Sequence, residues 1–172
     1  MVTAALPSTD QVWDWLAEVP DPEIPVVSVT ELGIIREVAW QGDTLHVAVT
    51  PTYSGCPATA VIDLMVEEKL REKGILHVAL ERRISPPWTT DWITQNARDK
   101  LKAYGIAPPV DGTASDGRMG RAARLSGSNL SIECPRCGSS ETEKVSQYGS
   151  TPCKAAYVCR DCLEPFDYFK CH

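Results

Sequence analysis

The chain of 172 residues lacks any apolar run long enough to span a bilayer, since a membrane helix needs about 20 consecutive apolar residues. Its N-terminal stretch also lacks the apolar centre of a secretory signal, because Asp10, Asp14, Glu18 and Asp21 interrupt it. We therefore expect a protein that is neither exported nor embedded in a membrane. Without export, its seven cysteines favour the reducing cytoplasm over a disulfide framework.

The chain has no surplus of basic residues either, with 17 Lys and Arg against 23 Asp and Glu and a net charge of −6. Because nucleic-acid binding depends on a basic surface that neutralises phosphates, we expect no nucleic-acid partner. The motifs of phosphate-binding loops and of HExxH metalloproteases are absent from the sequence as well. These absences direct attention to the cysteines.

Four cysteines form two Cys-x-x-Cys pairs in the last third of the chain. The pairs are Cys134 with Cys137 and Cys159 with Cys162, and 21 residues separate them. Four thiolates at such spacing are typical of a tetrahedral zinc site, whereas two redox or disulfide pairs are the alternative. We predict that these four residues bind one structural Zn²⁺.

Three further potential ligands remain near the C-terminus, namely Cys153, Cys171 and His172. A hairpin after the first pair and a tail after the second could bring them together. We predict a second metal site there, and the alternative is that the two thiols pack as small hydrophobic side chains at the edge of the ribbon.

Helical and strand patterns alternate along residues 8–105. Apolar residues three and four apart predict helices that begin near Ser8, at Pro57 and after Asp91, and strands are predicted at 34–40, 44–50 and 76–84. The order α-β-β-α-β-α predicts an α+β domain with its helices on one face of a short sheet. Residues 106–131, rich in Gly, Ala, Ser and Pro, are typical of a flexible linker. We thus predict an α+β domain at 8–105, a linker at 106–131 and a zinc ribbon at 132–172.

Cys56 is the strongest candidate for a functional side chain in the first domain. It immediately precedes Pro57, where a helix is predicted to begin. A helix N-terminus favours the thiolate, which is the form that binds metal or attacks an electrophile. The alternative is a buried structural cysteine.

Asp21 and Glu23 lie in a proline-rich segment between the first helix and the sheet. Their carboxylates could act as oxygen ligands or hydrogen-bond acceptors. The alternative is that the segment forms an Asx-type turn.

Three segments resemble the motifs of the SufT-type family: Asp-Pro-Glu-Ile-Pro at 21–25, Glu-Leu-Gly-Ile-Ile at 31–35 and Thr-Pro-Thr-Tyr-Ser-Gly-Cys-Pro at 50–57. That family comprises small α+β factors associated with iron–sulfur protein maturation. The resemblance covers residues 8–105. It implies a SufT-like fold and a functional thiol at Cys56, supported by Asp21 and Glu23.

The whole chain resembles the PaaD family, the D proteins of the bacterial phenylacetyl-CoA 1,2-epoxidase gene set, through segments 87–93, 101–109, 134–139, 148–155 and 164–171. This resemblance implies a role in aerobic phenylacetate catabolism. There, a diiron oxygenase and a reductase with flavin and a [2Fe–2S] cluster add oxygen to the aromatic ring. The implied role is not catalytic: the protein would assemble or repair metal centres, with transient iron or an iron–sulfur cluster as cargo and the reductase or oxygenase subunits as clients.

Other functions stay open at this point. Cys56 could be the nucleophile of a thiol enzyme, with His46 or His77 as its base. The chain could instead be a structural subunit of the epoxidase complex, or a nucleic-acid-binding zinc ribbon, which its acidity opposes. A homodimer through the first domain is a further open alternative.

Overall fold

The structure is a computed structural model that describes residues 6–53, 55–110 and 131–170. The chain divides into two compact units, one up to Trp88 and one from Thr89 onward. Each unit has its own sheet. No helix among the described residues is long and apolar enough to cross a membrane.

The first unit begins with helix α1, Thr9–Leu16. Ser8 caps it as the sequence predicts, because its side chain accepts a hydrogen bond from the Gln11 N–H while the Gln11 side chain accepts from the Ser8 N–H. Val12 and Leu16 lie one turn apart and are buried, so α1 packs an apolar stripe inward against α2 (Ala58–Glu72) and β1 (Ile35–Gln41).

The sheet of the first unit has the order β1-β2-β3, with β2 at Thr44–Val49 and β3 at Val78–Arg82. The turn between β1 and β2 contains Gly42 at φ +65°, a conformation that glycine adopts without steric cost. β2 pairs antiparallel with β1 and parallel with β3, so α2 is the crossover connection that a parallel pair requires. Leu45, Val47 and Val49 alternate along β2 and are fully buried. The predicted α-β-β-α-β order is confirmed for this unit.

The second unit begins with a 3-10 turn at Thr90–Trp92 and helix α3 at Gln95–Tyr104. Two-residue strand β4, Ile106–Ala107, follows α3 directly. It pairs in parallel with β7, Pro165–Phe169, in a sheet of order β4-β7-β6-β5, where β5 is Thr142–Ser146 and β6 is Lys154–Cys159. Three antiparallel strands thus form the C-terminal ribbon, which β4 extends by one strand.

Two expectations about this region change. The sequence pattern places the third helix on the sheet of the first domain, but α3 lies in the second unit and contacts β4. It also places Ile106 and Ala107 in the linker, but they form β4. The pairing of β4 with β7 joins residues about 60 positions apart, and composition carries no signal of such a contact. The rest of the predicted linker, residues 111–130, lies outside the described residues, and the three ranges predicted as domains stay a prediction.

Arg98 holds the N-terminal part of the second unit together. Its guanidinium donates to the carbonyl of Pro109 at 2.6 Å and to that of Thr90 at 2.9 Å. The buried core of the ribbon consists of Ala107, Ile132, Cys134, Cys159 and Phe166. Two cysteines of the predicted zinc site are therefore core residues.

Candidate functional site

The two Cys-x-x-Cys knuckles of the second unit bring four sulfur atoms together. Cys134 Sγ lies 3.8 Å from Cys162 Sγ, and Cys137 Sγ lies 3.6 Å from Cys159 Sγ. All four lie within 4.8 Å of one another. A tetrahedral Zn²⁺ with Zn–S bonds of about 2.3 Å requires sulfur atoms about 3.8 Å apart, so the arrangement fits that ion.

Backbone N–H groups point at these sulfur atoms and stabilise thiolates. The pKa of Cys159 is lowered to about 7, chiefly because the Cys162 N–H donates to its sulfur. The Ser139 N–H likewise donates to the Cys137 sulfur, which lowers the pKa of Cys137. Desolvation and the hydrogen bonds with the other three thiols outweigh that effect, so the pKa of Cys137 is raised to about 12. The pKa values of Cys137 and Cys159 are thus shifted in opposite directions, and a metal that binds thiols must displace the protons that they carry.

Helix α3 supports the first knuckle from one side. Lys102 Nζ lies 2.7 Å from Glu133 Oε1, next to Cys134. Arg136 lies inside the knuckle, and Gly105 ends α3 with φ +95°. The Arg136 guanidinium lies 3.6 Å from the position that a Cβ would occupy at Gly105. The knuckle thus rests on the C-terminal turn of α3, where the partial negative charge of a helix favours cations.

Cys56 lies two residues before α2, which begins one residue later than the predicted start at Pro57, and it is a half-buried free thiol. Its N–H donates to the Tyr53 carbonyl, and its own carbonyl accepts from the N–H and the hydroxyl of Thr59 in the first helical turn. All three bonds use the backbone of Cys56. The loop is therefore held by main-chain contacts that do not occupy the Cys56 sulfur.

Asp21 forms the Asx-type turn that was the structural alternative. Its Oδ1 accepts from the N–H of Glu23 at 2.9 Å and from that of Ile24 at 2.8 Å, and the residue is only 7% exposed. Among the described residues, the four knuckle cysteines form the one group of three or more His, Cys, Asp or Glu side chains that could hold a metal ion. The structure accordingly does not gather Asp21, Glu23 and Cys56 into such a group.

Of the predicted second site, only Cys153 belongs to the described residues, while Cys171 and His172 lie outside them. Cys153 is 5% exposed, and its sulfur lies 3.0 Å from the Thr151 hydroxyl. Its carbonyl accepts from the Lys170 N–H, so Cys153 sits opposite the end of β7. The second site stays a prediction.

Leu163, the residue after the second knuckle, was missed by sequence reasoning. It has φ +63°, and no other described non-glycine residue has a positive φ. It is also 75% exposed. The signal was present in the sequence, because Gly138 occupies the same position after the first knuckle.

Two family models match the chain in separate regions. One, described as an iron–sulfur cluster assembly protein, matches residues 9–75, and the other, the PaaD zinc beta ribbon domain, matches residues 119–170. The first match includes the Asp21 turn and Cys56, and the second includes all four knuckle cysteines. The regions correspond to the α+β unit and to the ribbon.

Similar proteins extend these matches. An Escherichia coli (strain K12) protein, named as the D subunit of 1,2-phenylacetyl-CoA epoxidase, is 42% identical over 171 residues, which cover 99% of this chain and 98% of that protein. Protein AE7-like 1 of Arabidopsis thaliana is 28% identical over 56% of this chain and 65% of its own length. The crystal structure of a DUF59 domain of unknown function from Bacillus anthracis matches with a TM-score of 0.50 and 24% identity, covering 54% of this chain and 89% of that one. The solved structure supports the fold, and the E. coli relative extends along the whole chain. The chain therefore belongs to the PaaD family, with an iron–sulfur cluster assembly domain followed by a zinc ribbon.

Proposed function

We propose that this protein is a maturation or repair factor for the metal centres of the phenylacetyl-CoA 1,2-epoxidase system, with the [2Fe–2S] reductase as its client. The observation that carries the proposal is the joining, in one chain, of an iron–sulfur cluster assembly domain and a PaaD ribbon. An accessory role in aerobic phenylacetate catabolism follows, rather than catalysis. The cytoplasm is the compartment in which such thiols stay reduced.

The four knuckle cysteines, in this proposal, hold a structural Zn²⁺. Cys134 and Cys159 are fully buried in the ribbon core, so the ion would bond to side chains that already define the fold. A site with four thiolate ligands has no open coordination position. It therefore stabilises the ribbon and does not itself exchange cargo.

Cys56 is the proposed contact with the cargo, which is iron or an iron–sulfur cluster. Its thiolate would bond to iron, and a client thiolate would then replace it, while Cys56 recovers a proton from water. This ligand exchange changes no oxidation state and needs no reductant. A half-buried thiol in a loop held by backbone bonds suits the exchange, because it is positioned without being enclosed.

Replacement of Cys56 by serine tests the proposal. We expect Cys56→Ser to keep the fold, since the contacts of the residue in this loop use its backbone. We also expect the [2Fe–2S] content of the reductase purified from cells with this variant to fall at least about tenfold, as after loss of an essential thiol. Glu68→Gln, on the exposed side of α2, is the matched control. A Cys56→Ser strain whose reductase is fully loaded would contradict the proposal.

A second candidate function is that of a structural subunit of the epoxidase, which the name of the E. coli relative favours. The two functions differ in the expected ratio of this protein to the oxygenase in the purified enzyme. A structural subunit would co-purify with active oxygenase at a fixed ratio, whereas a maturation factor would leave a fully active enzyme behind when it is removed.

A further inference from the structure

The two zinc knuckles are built to the same geometry. In each, the N–H of the first cysteine donates to the carbonyl five residues later: Cys134 to Ser139 at 2.8 Å, and Cys159 to Glu164 at 3.0 Å. The N–H of that later residue donates to the sulfur of the second cysteine, Cys137 or Cys162. The residue between the second cysteine and that later residue is the fourth after the first cysteine, and it has a positive φ in both knuckles.

Different residues occupy that shared position. The first knuckle has Gly138 at φ +77°, and the second has Leu163 at φ +63°. Glycine adopts this conformation freely, but a leucine Cβ crowds the backbone there. The second knuckle therefore carries a backbone strain that the first avoids.

Packing of the side chain does not offset the strain at Leu163. The residue is 75% exposed, more than any other large hydrophobic residue among those described. Both knuckles have the positive φ at this position, but only the second fills it with a non-glycine residue, and strained non-glycine residues are concentrated at functional sites. The leucine side chain thus stands at the tip of the ribbon at a cost to the isolated protein.

Charged groups around Leu163 indicate the chemistry of a partner. Asp161 and Glu164 lie close to it in the chain and are exposed, and Arg160 of the same knuckle is paired with Glu143 at 2.8 Å. Four thiolates with Zn²⁺ bound leave a net charge of about −2 beneath the tip. The surface that Leu163 presents is an apolar projection in acidic surroundings.

We propose that Leu163 anchors the ribbon on the client reductase, by insertion into an apolar pocket that Lys or Arg side chains border. Buried apolar anchors with a charged rim are the usual form of a small, specific interface. The identity of the partner rests on the proposed function, whereas the geometry of the tip does not depend on it. It gives the ribbon the role of recognition and leaves exchange to Cys56.

The test compares three substitutions in the zinc-loaded full chain, with binding to purified reductase measured by calorimetry at two salt concentrations. We expect Leu163→Gly and Leu163→Ala to weaken binding at least about tenfold, which is typical for loss of an anchor, and Leu163→Met to bind within about threefold of wild type. Wild-type binding should weaken as salt rises. Val145→Ala, at another exposed apolar residue of the ribbon (67%), is the control and should bind like wild type.

Stability separates the anchor from a structural role. Leu163→Gly relieves the strain, so its zinc-loaded thermal midpoint should equal or exceed that of wild type while binding falls. The proposal would be overturned if Leu163→Gly bound the reductase with wild-type affinity, or if its thermal midpoint fell in parallel with its binding. Binding of the wild-type chain to the oxygenase component instead of the reductase would also overturn it. If Leu163→Gly binds normally and Cys56→Ser still leaves the reductase unloaded, the anchor fails and the proposed function stands. Failure of the wild-type chain to bind the reductase would remove both.

Discussion

At the residue scale, Asp21 has the structural task of an Asx-type turn, which the sequence offered as the alternative to a ligand role. One carboxylate oxygen accepts two backbone N–H bonds in the turn that follows α1, and the Asp21 N–H donates to the Val27 carbonyl at 2.9 Å. Both sides of the proline-rich segment are thereby tied together. Glu23 donates its backbone N–H to this turn, so the two acids of the motif do not play equivalent roles.

Replacement of Asp21 tests this assignment. Asp21→Ala removes both hydrogen bonds from a buried position, and we expect it to lower the free energy of unfolding by about 1–3 kcal/mol. Asp21→Asn keeps an oxygen acceptor and should recover most of the loss. Urea denaturation measures the difference, with Glu68→Ala, on the exposed side of α2, expected within about 0.5 kcal/mol of wild type as the control. A stable Asp21→Ala variant that fails to load the reductase would point instead to a ligand role.

At the element scale, the ribbon and helix α3 depend on one another. Two contacts connect α3 to the first knuckle, namely the Lys102–Glu133 ion pair and the Arg136 side chain beside Gly105. The pairing of β4 with β7 connects the strand after α3 to the ribbon. An exposed ion pair such as Lys102–Glu133 contributes little by itself. The strand pairing and the shared core around Ala107 and Phe166 contribute more to the stability of this unit.

Removal of zinc should consequently affect more than the knuckles. The ribbon is too small to fold on its hydrophobic core alone, so metal binding and folding should be one event. On chelation in the full chain, we expect loss of amide protection in β5, β6 and β7, and also in α3, while α1 and α2 keep theirs.

Hydrogen exchange with mass spectrometry, before and after chelation, measures this pattern for each element. Zinc added back is the control and should restore protection. Protection retained in the ribbon would contradict coupled folding, and loss confined to residues 132–170 would place the folding boundary at the predicted linker instead of near Thr89.

At the scale of the whole molecule, the metal content of the chain distinguishes one site from two. The knuckles account for four of the seven cysteines and, in the proposed function, for one Zn²⁺. Cys56 belongs to the first unit, and Cys153 with Cys171 and His172 constitutes the predicted second site. A site short of protein ligands keeps a position open, which transfer to a client requires.

A double substitution, Cys153→Ser with Cys171→Ser, tests the second site. We expect wild-type protein purified without oxygen to carry one tightly held zinc per chain plus a further zinc or iron, and the double variant to lose only the latter. Elemental analysis with assay of acid-labile sulfide measures both. Unchanged metal content together with a fully loaded reductase would show that Cys153 is a packed thiol, in keeping with its burial.

Local physics determined from the sequence alone much of what the structure contains. The capping box at Ser8, the alternation along β2 and the zinc knuckles are short-range patterns, and each was predicted from its own residues. The position of Cys56 before α2 belongs to the same class, because a proline marks the start of the helix. Such features need no knowledge of distant parts of the chain.

Only the tertiary structure decided the features that join distant residues or depend on backbone angles. Helix α3 belongs to the second unit because the strand that follows it, β4, pairs with β7. The sequence could not indicate this, since a strand of two residues has no periodicity to detect. The Asx turn of Asp21 needed the directions of two N–H groups, since the same carboxylate could have faced a metal. Leu163 needed both its φ angle and its exposure. The sequence determined which groups are present and their local order, while their orientation followed from contacts between elements far apart in the chain.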